Sequence, residues 1–229
     1  MDRPQVESIL TAIESSLAAG DDLDLAGSGF WEAVTSVKRN PGWIEGLADR
    51  IGQIDRTVFQ RWALIRLPVA VGTMLALVAT ALGLWLIGLA YGASPLTQAV
   101  FLLVGTGILM VSTHGLAHLA VGRLQGMRFT HWFVGTLRRP QPGVKVDYAS
   151  YLRVPPARRA WMHAAGAMTT KFIPLVGLGA GWAMGAAAWA MVLLLVITVG
   201  QVVTDIIWST KNSDWKKFRR EMAFVPSAG

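Results

Sequence analysis

The chain has 229 residues, of which 53% are hydrophobic, and its mean hydropathy is +0.44. This apolar fraction exceeds the roughly 45–50% typical of soluble domains, and the excess lies in long runs, which favours a polytopic membrane protein. The chain has no cysteine, which excludes disulfides and thiolate metal sites. The net charge of +7 does not indicate nucleic-acid binding, because the basic residues lie in loops beside apolar runs, where the positive-inside rule accounts for them.

Residues 1–62 are predicted to form a small helical region on the cytosolic side. Their net charge is −4, whereas the remainder of the chain carries +11. Apolar residues recur at helical spacing over Val6–Leu17, and a second helix is expected over Phe30–Arg39. The turn Asn40–Gly42 precedes a third helix that starts at Ile44 and leads toward the membrane. No catalytic motif is evident there, so we expect a cap on the cytosolic face or a module that docks a partner.

Four apolar stretches each approach the roughly 20 residues that an α-helix needs to cross about 30 Å of hydrocarbon. They are predicted at 65–91, 96–122, 160–179 and 182–208. Basic residues cluster in the loop between the second and third stretches and in the tail 211–229. Because basic loops stay cytosolic, both termini and this loop are expected inside. The predicted fold class is an all-α, multi-pass membrane protein with four transmembrane helices over 63–210, in contact with the lipid bilayer.

The loop 127–155 is predicted to contain a β-hairpin. Two segments rich in aromatic and β-branched residues, Met127–Leu137 and Val144–Leu152, flank a turn signal at Arg138–Gly143. We expect this hairpin at the cytosolic surface or re-entering the membrane. Irregular backbone at membrane depth is tolerated only beside protein or a water-filled cavity, so a re-entrant hairpin would indicate a hydrated site nearby.

His114 and His118 lie one helical turn apart in a run, 67–122, that contains no Asp, Glu, Lys or Arg. Residues four apart share a helix face, so both imidazoles can reach one object. His118 and Asp205 each precede the next basic residue by five or six positions, which places both roughly 8–9 Å inside the cytosolic boundary. Two imidazoles and one carboxylate are a common ligand set for tetrahedral zinc with a position open to water. We therefore predict one zinc ion per chain, held by His114, His118 and Asp205.

The polar residues around this group have alternative interpretations. Asp205 could instead form an ion pair with Lys171, which lies near the middle of the third apolar stretch and needs a partner there. His163, at the start of that stretch, is either an interfacial residue or a residue that contacts and supports the metal ligands. Lys171 is a second candidate for this supporting role. His131 lies in the hairpin, where a surface position is expected.

This pattern resembles the site-2 proteases, intramembrane zinc metallopeptidases that cleave membrane-spanning substrates. The family has His-Glu-x-x-His on a core helix, then small residues and glycines, then a hairpin with an aromatic and glycine segment. The corresponding positions in this chain are His114, His118, Gly122, Gly126, Phe129, Phe133 and Gly135. Ala164–Ala167 resembles the small-residue start of the second core helix of the family. Asp205 stands where the third core helix supplies an aspartate ligand, so the resemblance covers about residues 100–210.

Two positions depart from the family pattern. Gly115 stands where the family has its catalytic glutamate, and no glycine follows Asp205, where the family usually has Asp-Gly. Losing a positioned general base typically costs on the order of 100- to 10,000-fold in rate. Asp147 and Glu221 are candidates to replace it. The resemblance therefore implies a zinc metallopeptidase or a catalytically impaired relative that binds transmembrane peptide segments or a membrane-protein partner.

Two other functions are compatible with the sequence. One is a haem-binding membrane subunit that uses His114 or His118 together with His163 as axial ligands. The other is a non-enzymatic structural subunit that docks to a membrane complex through the acidic N-terminal region and the basic tail. Within that tail, Ser213 is predicted to cap a basic amphipathic helix that lies on an anionic leaflet.

Overall fold

The computed structural model describes residues 1–136, 142–207 and 213–225, with the backbone alone described at 205–207. The described chain is mostly helical and includes one three-stranded sheet. The elements are α1 (Arg3–Ala19), α2 (Phe30–Arg39), α3 (Ile44–Trp62), β1 (Ile65–Pro68), α4 (Val69–Ala90), α5 (Pro95–Leu124), β2 (Phe129–Val134), β3 (Pro142–Val146), α6 (Tyr148–Arg153), α7 (Pro156–Ala183), α8 (Ala188–Ile207) and α9 (Asp214–Met222).

The chain divides into two compact units. The first comprises Met1–Val69, Arg123–Arg159 and Phe224–Gly229, and the second comprises Ala70–Gly122 and Ala160–Ala223. The N-terminal helices and the hairpin region therefore belong to one unit, although they are separated in sequence by two long helices. The sequence-based division, at residue 62 and residue 210, instead followed the order of the chain.

The three predicted N-terminal helices are confirmed. Helix α1 begins with a capping box formed by Asp2 and Gln5 and ends at Gly20, which adopts a left-handed conformation at φ 91°. The apolar faces of α1, α2 and α3 form one core. Its fully or almost fully buried members include Val6, Leu10, Phe30, Val34, Val37, Leu47, Ile51 and Ile54. This core explains why the helical periodicity was a reliable guide in this region.

The predicted hairpin is confirmed in part. Strands β2 and β3 pair antiparallel, with Trp132 opposite Val144. Strand β1 pairs antiparallel with the other side of β2, so β2 is central and β1 and β3 are the edges. The expectation that the first span includes residues 65–68 is therefore wrong, because these residues form β1. The expectation of extended structure up to Leu152 is also wrong, because Asp147 caps helix α6 by accepting a hydrogen bond from the backbone of Ser150. The turn at 137–141 lies outside the described residues.

Helix α6 packs closely on α3 in the first unit. A Cβ added at Gly52 would lie 2.8 Å from the Cβ of Ala149, so glycine is needed for this approach. Lys145 on β3 forms an ion pair of 2.6 Å with the buried carboxylate of Asp55 on α3. Burial raises the pKa of Asp55, and the Lys145 ammonium offsets this only in part. These contacts attach the sheet and α6 to the N-terminal helices.

Close helix packing in the second unit also depends on glycine. A Cβ at Gly105 of α5 would lie 2.7 Å from the carbonyl oxygen of Gly83 on α4. The hydroxyl of Thr80 donates to that of Ser112 at 2.9 Å, which joins the same two helices. Gly177 of α7 packs on Thr106 of α5 in the same way. The expected end of the third apolar stretch at residue 179 is wrong, since α7 continues to Ala183.

Helices occupy all four stretches that were predicted to cross the membrane, but four spanning helices are not confirmed. Among the described residues, α4 and α5 are long and apolar enough to cross a bilayer. The apolar part of α8, Ala188–Thr204, is shorter. Helix α7 carries Arg158, Arg159 and Lys171, which interrupt its apolar character. Length and composition therefore indicate membrane association through α4 and α5.

Candidate metal-binding site

Helix α5 places His114 and His118 on one face, as their spacing predicted. The Nε2 atoms of the two rings are 3.2 Å apart, and the ring planes are nearly perpendicular. His118 is buried, whereas the side chain of His114 is 34% exposed. The two imidazoles therefore present adjacent nitrogens at the edge of the second unit's packed interior.

Backbone carbonyl groups of α7 accept hydrogen bonds from the Nδ1 atoms of both histidine rings. His118 Nδ1 lies 2.8 Å from the carbonyl oxygen of Met162, and His114 Nδ1 lies 3.1 Å from that of Gly166. A carbonyl oxygen only accepts, so each Nδ1 carries the proton and donates it. In the neutral form of each ring, the Nε2 atom then has a lone pair. Backbone contacts of this kind fix the tautomer and orientation of metal-binding histidines.

Helix α9 brings a carboxylate to the same point. Asp214 Oδ2 lies 3.1 Å from His118 Nε2 and 3.3 Å from His114 Nε2. Asp214 is the first residue of α9, and Ser213 caps the helix by accepting a hydrogen bond from the backbone of Lys216. Farther along α9, the ring of Phe218 packs against Trp161 of α7, with 5.6 Å between the ring centroids. The docked helix thus delivers Asp214 to the histidine pair.

Three electron-pair donors converge where these elements meet. The distances between the two Nε2 atoms and Asp214 Oδ2 are 3.2, 3.1 and 3.3 Å. Zinc bonds of about 2.0–2.1 Å in tetrahedral geometry separate neighbouring ligand atoms by about 3.3–3.4 Å. The triangle of donor atoms is therefore close to one face of a zinc coordination tetrahedron. His114, His118 and Asp214 fit a metal ion that keeps a fourth position open.

The surroundings of Asp214 favour a negatively charged carboxylate beside the two imidazoles. Burial raises the pKa of Asp214, but contacts with His114 and His118 and the ammonium of Lys217 outweigh this and hold its pKa well below the usual range. The carboxylate is therefore ionised and faces two imidazole nitrogens. A proton on one ring can satisfy one of these contacts, whereas a divalent cation satisfies all three donors together.

The predicted third ligand was a different aspartate. Asp205 lies in α8, but its side chain is outside the described part of the structure. His163, on α7, has its ring centroid 6.4 Å from that of His118, so it lies beside the histidine pair. Lys171 donates to the carbonyl oxygen of Ala167, one turn earlier in its own helix, at 3.0 Å. An ion pair between Lys171 and Asp205 stays a prediction.

Asp147 and Glu221, the candidates to replace the missing glutamate, have no contact with the histidine pair among those the structure describes. Gly115 is buried within α5. Asp147 caps α6 and pairs with Arg56 at 3.0 Å within the first unit. Glu221 is fully buried on α9. His131, expected at the surface, is half-buried on β2, where its ring packs near Phe59.

The sequence pattern predicts Asp214 only as the residue that follows the Ser213 cap of the basic helix, and not as a member of the site. Its sequence signal was weak, because an aspartate after a capping serine is ordinary at a helix N-terminus. The informative feature is its place shortly after the last apolar stretch, and therefore near the predicted cytosolic end of that stretch. That depth is also where the histidines were predicted to lie.

Comparison of the chain with protein-family models, with curated proteins and with solved structures finds no match. The function is therefore inferred from the geometry of the site and from the sequence pattern.

Proposed function

We propose that this protein is a membrane protein that binds one zinc ion per chain through His114, His118 and Asp214. The observation that carries the proposal is the convergence of three donor atoms whose other contacts leave them free to face a cation. Imidazole and carboxylate suit zinc, and three protein ligands with an open position are typical of catalytic and exchangeable zinc sites. Asp214 replaces Asp205 as the third ligand in this proposal.

The membrane topology proposed with this site has four spans. Helices α4 and α5 meet the length and composition of spanning helices, and α7 and α8 are proposed to complete the bundle. The basic residues of the loop after α5 and of the tail support a cytosolic position for both termini and the hairpin. The basic N-terminal turn of α7 is proposed to lie at the cytosolic interface, where the exposed Arg158 can contact headgroups. Arg159 is buried and donates to the carbonyl oxygen of Leu152.

We further propose that the protein is of the site-2 protease type but catalytically impaired. Zinc supplies Lewis-acid chemistry when it is bound. Gly115 occupies the position of the family's general base. Among the described residues, Asp214 is the carboxylate that lies against the histidines, and in this proposal it serves as a metal ligand and not as a base. A role in binding membrane-protein segments is therefore favoured over rapid proteolysis. The edge strands β1 and β3 offer backbone groups to which an extended segment of such a partner could add.

Elemental analysis of the detergent-purified protein tests the metal proposal. We expect about one zinc per chain in the wild type, and loss of zinc in His114→Ala, His118→Ala and Asp214→Asn. His131→Ala is the matched control, because it removes a histidine of the first unit. Size-exclusion profiles show whether each variant remains folded.

Asp205→Ala distinguishes the two candidate aspartates. Retention of zinc in Asp205→Ala, with loss in Asp214→Asn, supports the ligand set of the structure. The opposite result would overturn Asp214 as the third ligand, and no zinc in the wild type would overturn the metal proposal as a whole.

The two alternative functions make different predictions. Haem binding through His114 or His118 together with His163 predicts a Soret band in the purified protein, which a zinc site does not give. A purely structural subunit would copurify with other chains and carry no metal.

A further inference from the structure

Lys217 contacts the carboxylate of Asp214 on the side that faces away from the histidines. Its Nζ atom lies 3.0 Å from Asp214 Oδ1, whereas Oδ2 is the oxygen that faces both imidazoles. The two residues are three positions apart in α9, so they lie on neighbouring parts of the same helix face. The two carboxylate oxygens of Asp214 therefore contact different groups, Oδ1 the ammonium of Lys217 and Oδ2 the two imidazoles.

We propose that Lys217 is a positioning residue that makes Asp214 a single-oxygen ligand. The proposal depends on the metal site described above and concerns how that site is built. With Oδ1 held by the ammonium, Oδ2 alone can bond to the metal ion. This arrangement favours a four-coordinate ion such as zinc, and it disfavours ions that need more oxygen ligands, such as manganese or calcium.

Two other contacts of α9 fix the position of the helix but do not orient the carboxylate of Asp214. Ser213 fixes the start of the helix, and the contact between Phe218 and Trp161 fixes its face. Both contacts place the backbone of Asp214, but neither restrains rotation of its carboxylate group. The ammonium supplies that restraint, and it lies in a region of restricted solvent access, with 16% exposure of Asp214 and 32% of Lys217.

A positioning role and a simple charge effect predict opposite changes in affinity. Removing a positive charge near a divalent cation would by itself tighten metal binding, because the repulsion is lost. Removing a group that orients a ligand weakens metal binding, typically by about 10- to 100-fold. The direction of the change therefore identifies the role.

The experiment measures zinc affinity by competition with a chelator, using the full chain in detergent. Lys217→Met removes the charge while keeping a long side chain, and Lys217→Arg restores a charged donor. Lys216→Met is the matched control, because Lys216 is the adjacent residue, carries the same charge and is exposed. Cobalt(II) replaces zinc as a spectroscopic probe, since four-coordinate cobalt absorbs visible light more strongly than five- or six-coordinate cobalt.

We expect about 10-fold or greater weakening of zinc binding in Lys217→Met, together with a weaker cobalt spectrum. Lys217→Arg should recover most of the affinity, and Lys216→Met should match the wild type. Unchanged or tighter zinc binding in Lys217→Met, or equal weakening in Lys216→Met, would overturn the positioning role and leave the metal site intact. No metal in the wild type would instead overturn the site itself.

Discussion

Gly166 lies where helix α7 passes the ring of His118. A Cβ added at Gly166 would overlap the imidazole of His118, because it would lie 2.5 Å from the Cε1 atom of that ring. Gly166→Ala must therefore displace His118 or separate α7 from α5, at a cost typical of overpacking, about 1–3 kcal/mol. We expect at least a tenfold loss of zinc affinity, measured by chelator competition, because His118 is a proposed ligand whose orientation depends on α7.

Gly179→Ala is the control for this substitution. Gly179 lies on the same helix, and a Cβ there would meet no atom within 4 Å. It should leave zinc binding unchanged and should not lower thermal stability, since alanine favours a helix over glycine. Wild-type zinc affinity in Gly166→Ala would show that the close approach of α7 does not orient His118.

At the scale of elements, the approach of α4 to α5 is set by glycine. The Cβ of Gly105→Ala would lie 2.7 Å from the carbonyl oxygen of Gly83, and backbone cannot move aside as a side chain can. The two helices must then separate, which costs about 1–3 kcal/mol. We expect a lower midpoint of thermal unfolding in detergent for Gly105→Ala.

Gly107→Ala tests whether this effect is specific. Gly107 is two residues farther along α5, on its exposed side, with no atom within 4 Å of an added Cβ. Its unfolding midpoint should equal or exceed that of the wild type. Equal midpoints for Gly105→Ala and Gly107→Ala would contradict the tight packing of α4 on α5.

Helix α9 has contacts with the rest of the protein that its amphipathic pattern did not predict. The helix and its Ser213 cap are confirmed, while its position on an anionic leaflet stays a prediction. Phe218 packs against Trp161, and Asp214 contacts both histidines, so part of the helix is committed to the protein. Its exposed basic residues remain available to lipid headgroups.

At the scale of the whole molecule, the topology can be tested with single cysteines because the chain has none of its own. Ser15→Cys lies on α1, Ser94→Cys lies between α4 and α5, and Ala188→Cys lies at the start of α8; all three positions are exposed. With four spans and cytosolic termini, a membrane-impermeant maleimide should label positions 94 and 188 in intact cells and leave position 15 unlabelled.

The labelling pattern separates the four-span topology from a two-span topology. If α4 and α5 alone cross the membrane, position 188 stays on the cytosolic side and behaves like position 15. Labelling of position 15 in intact cells would overturn the inside orientation of the N-terminal region. Permeabilised cells, in which all three cysteines should react, control for accessibility.

Local pattern determined much of the secondary structure. The helical spacing of Val6, Leu10 and Ile13 and the left-handed stop at Gly20 located α1, and the aromatic and β-branched segments located the hairpin. Strand β1 was missed because Ile65–Pro68 is continuous in sequence with the apolar helix that follows it. Its extended form depends on pairing with β2, a long-range contact that no local propensity encodes.

The sequence by itself determined that His114 and His118 share a helix face, because the α-helix repeats every 3.6 residues. It also predicts that the donors lie near the cytosolic end of the apolar helices, because basic loops are expected on that side. Only the tertiary structure decided that Asp214 is the carboxylate beside them. Asp214 lies 96 residues from His118, and packing of α9 on α7 brings it there, so contacts between distant elements place this carboxylate.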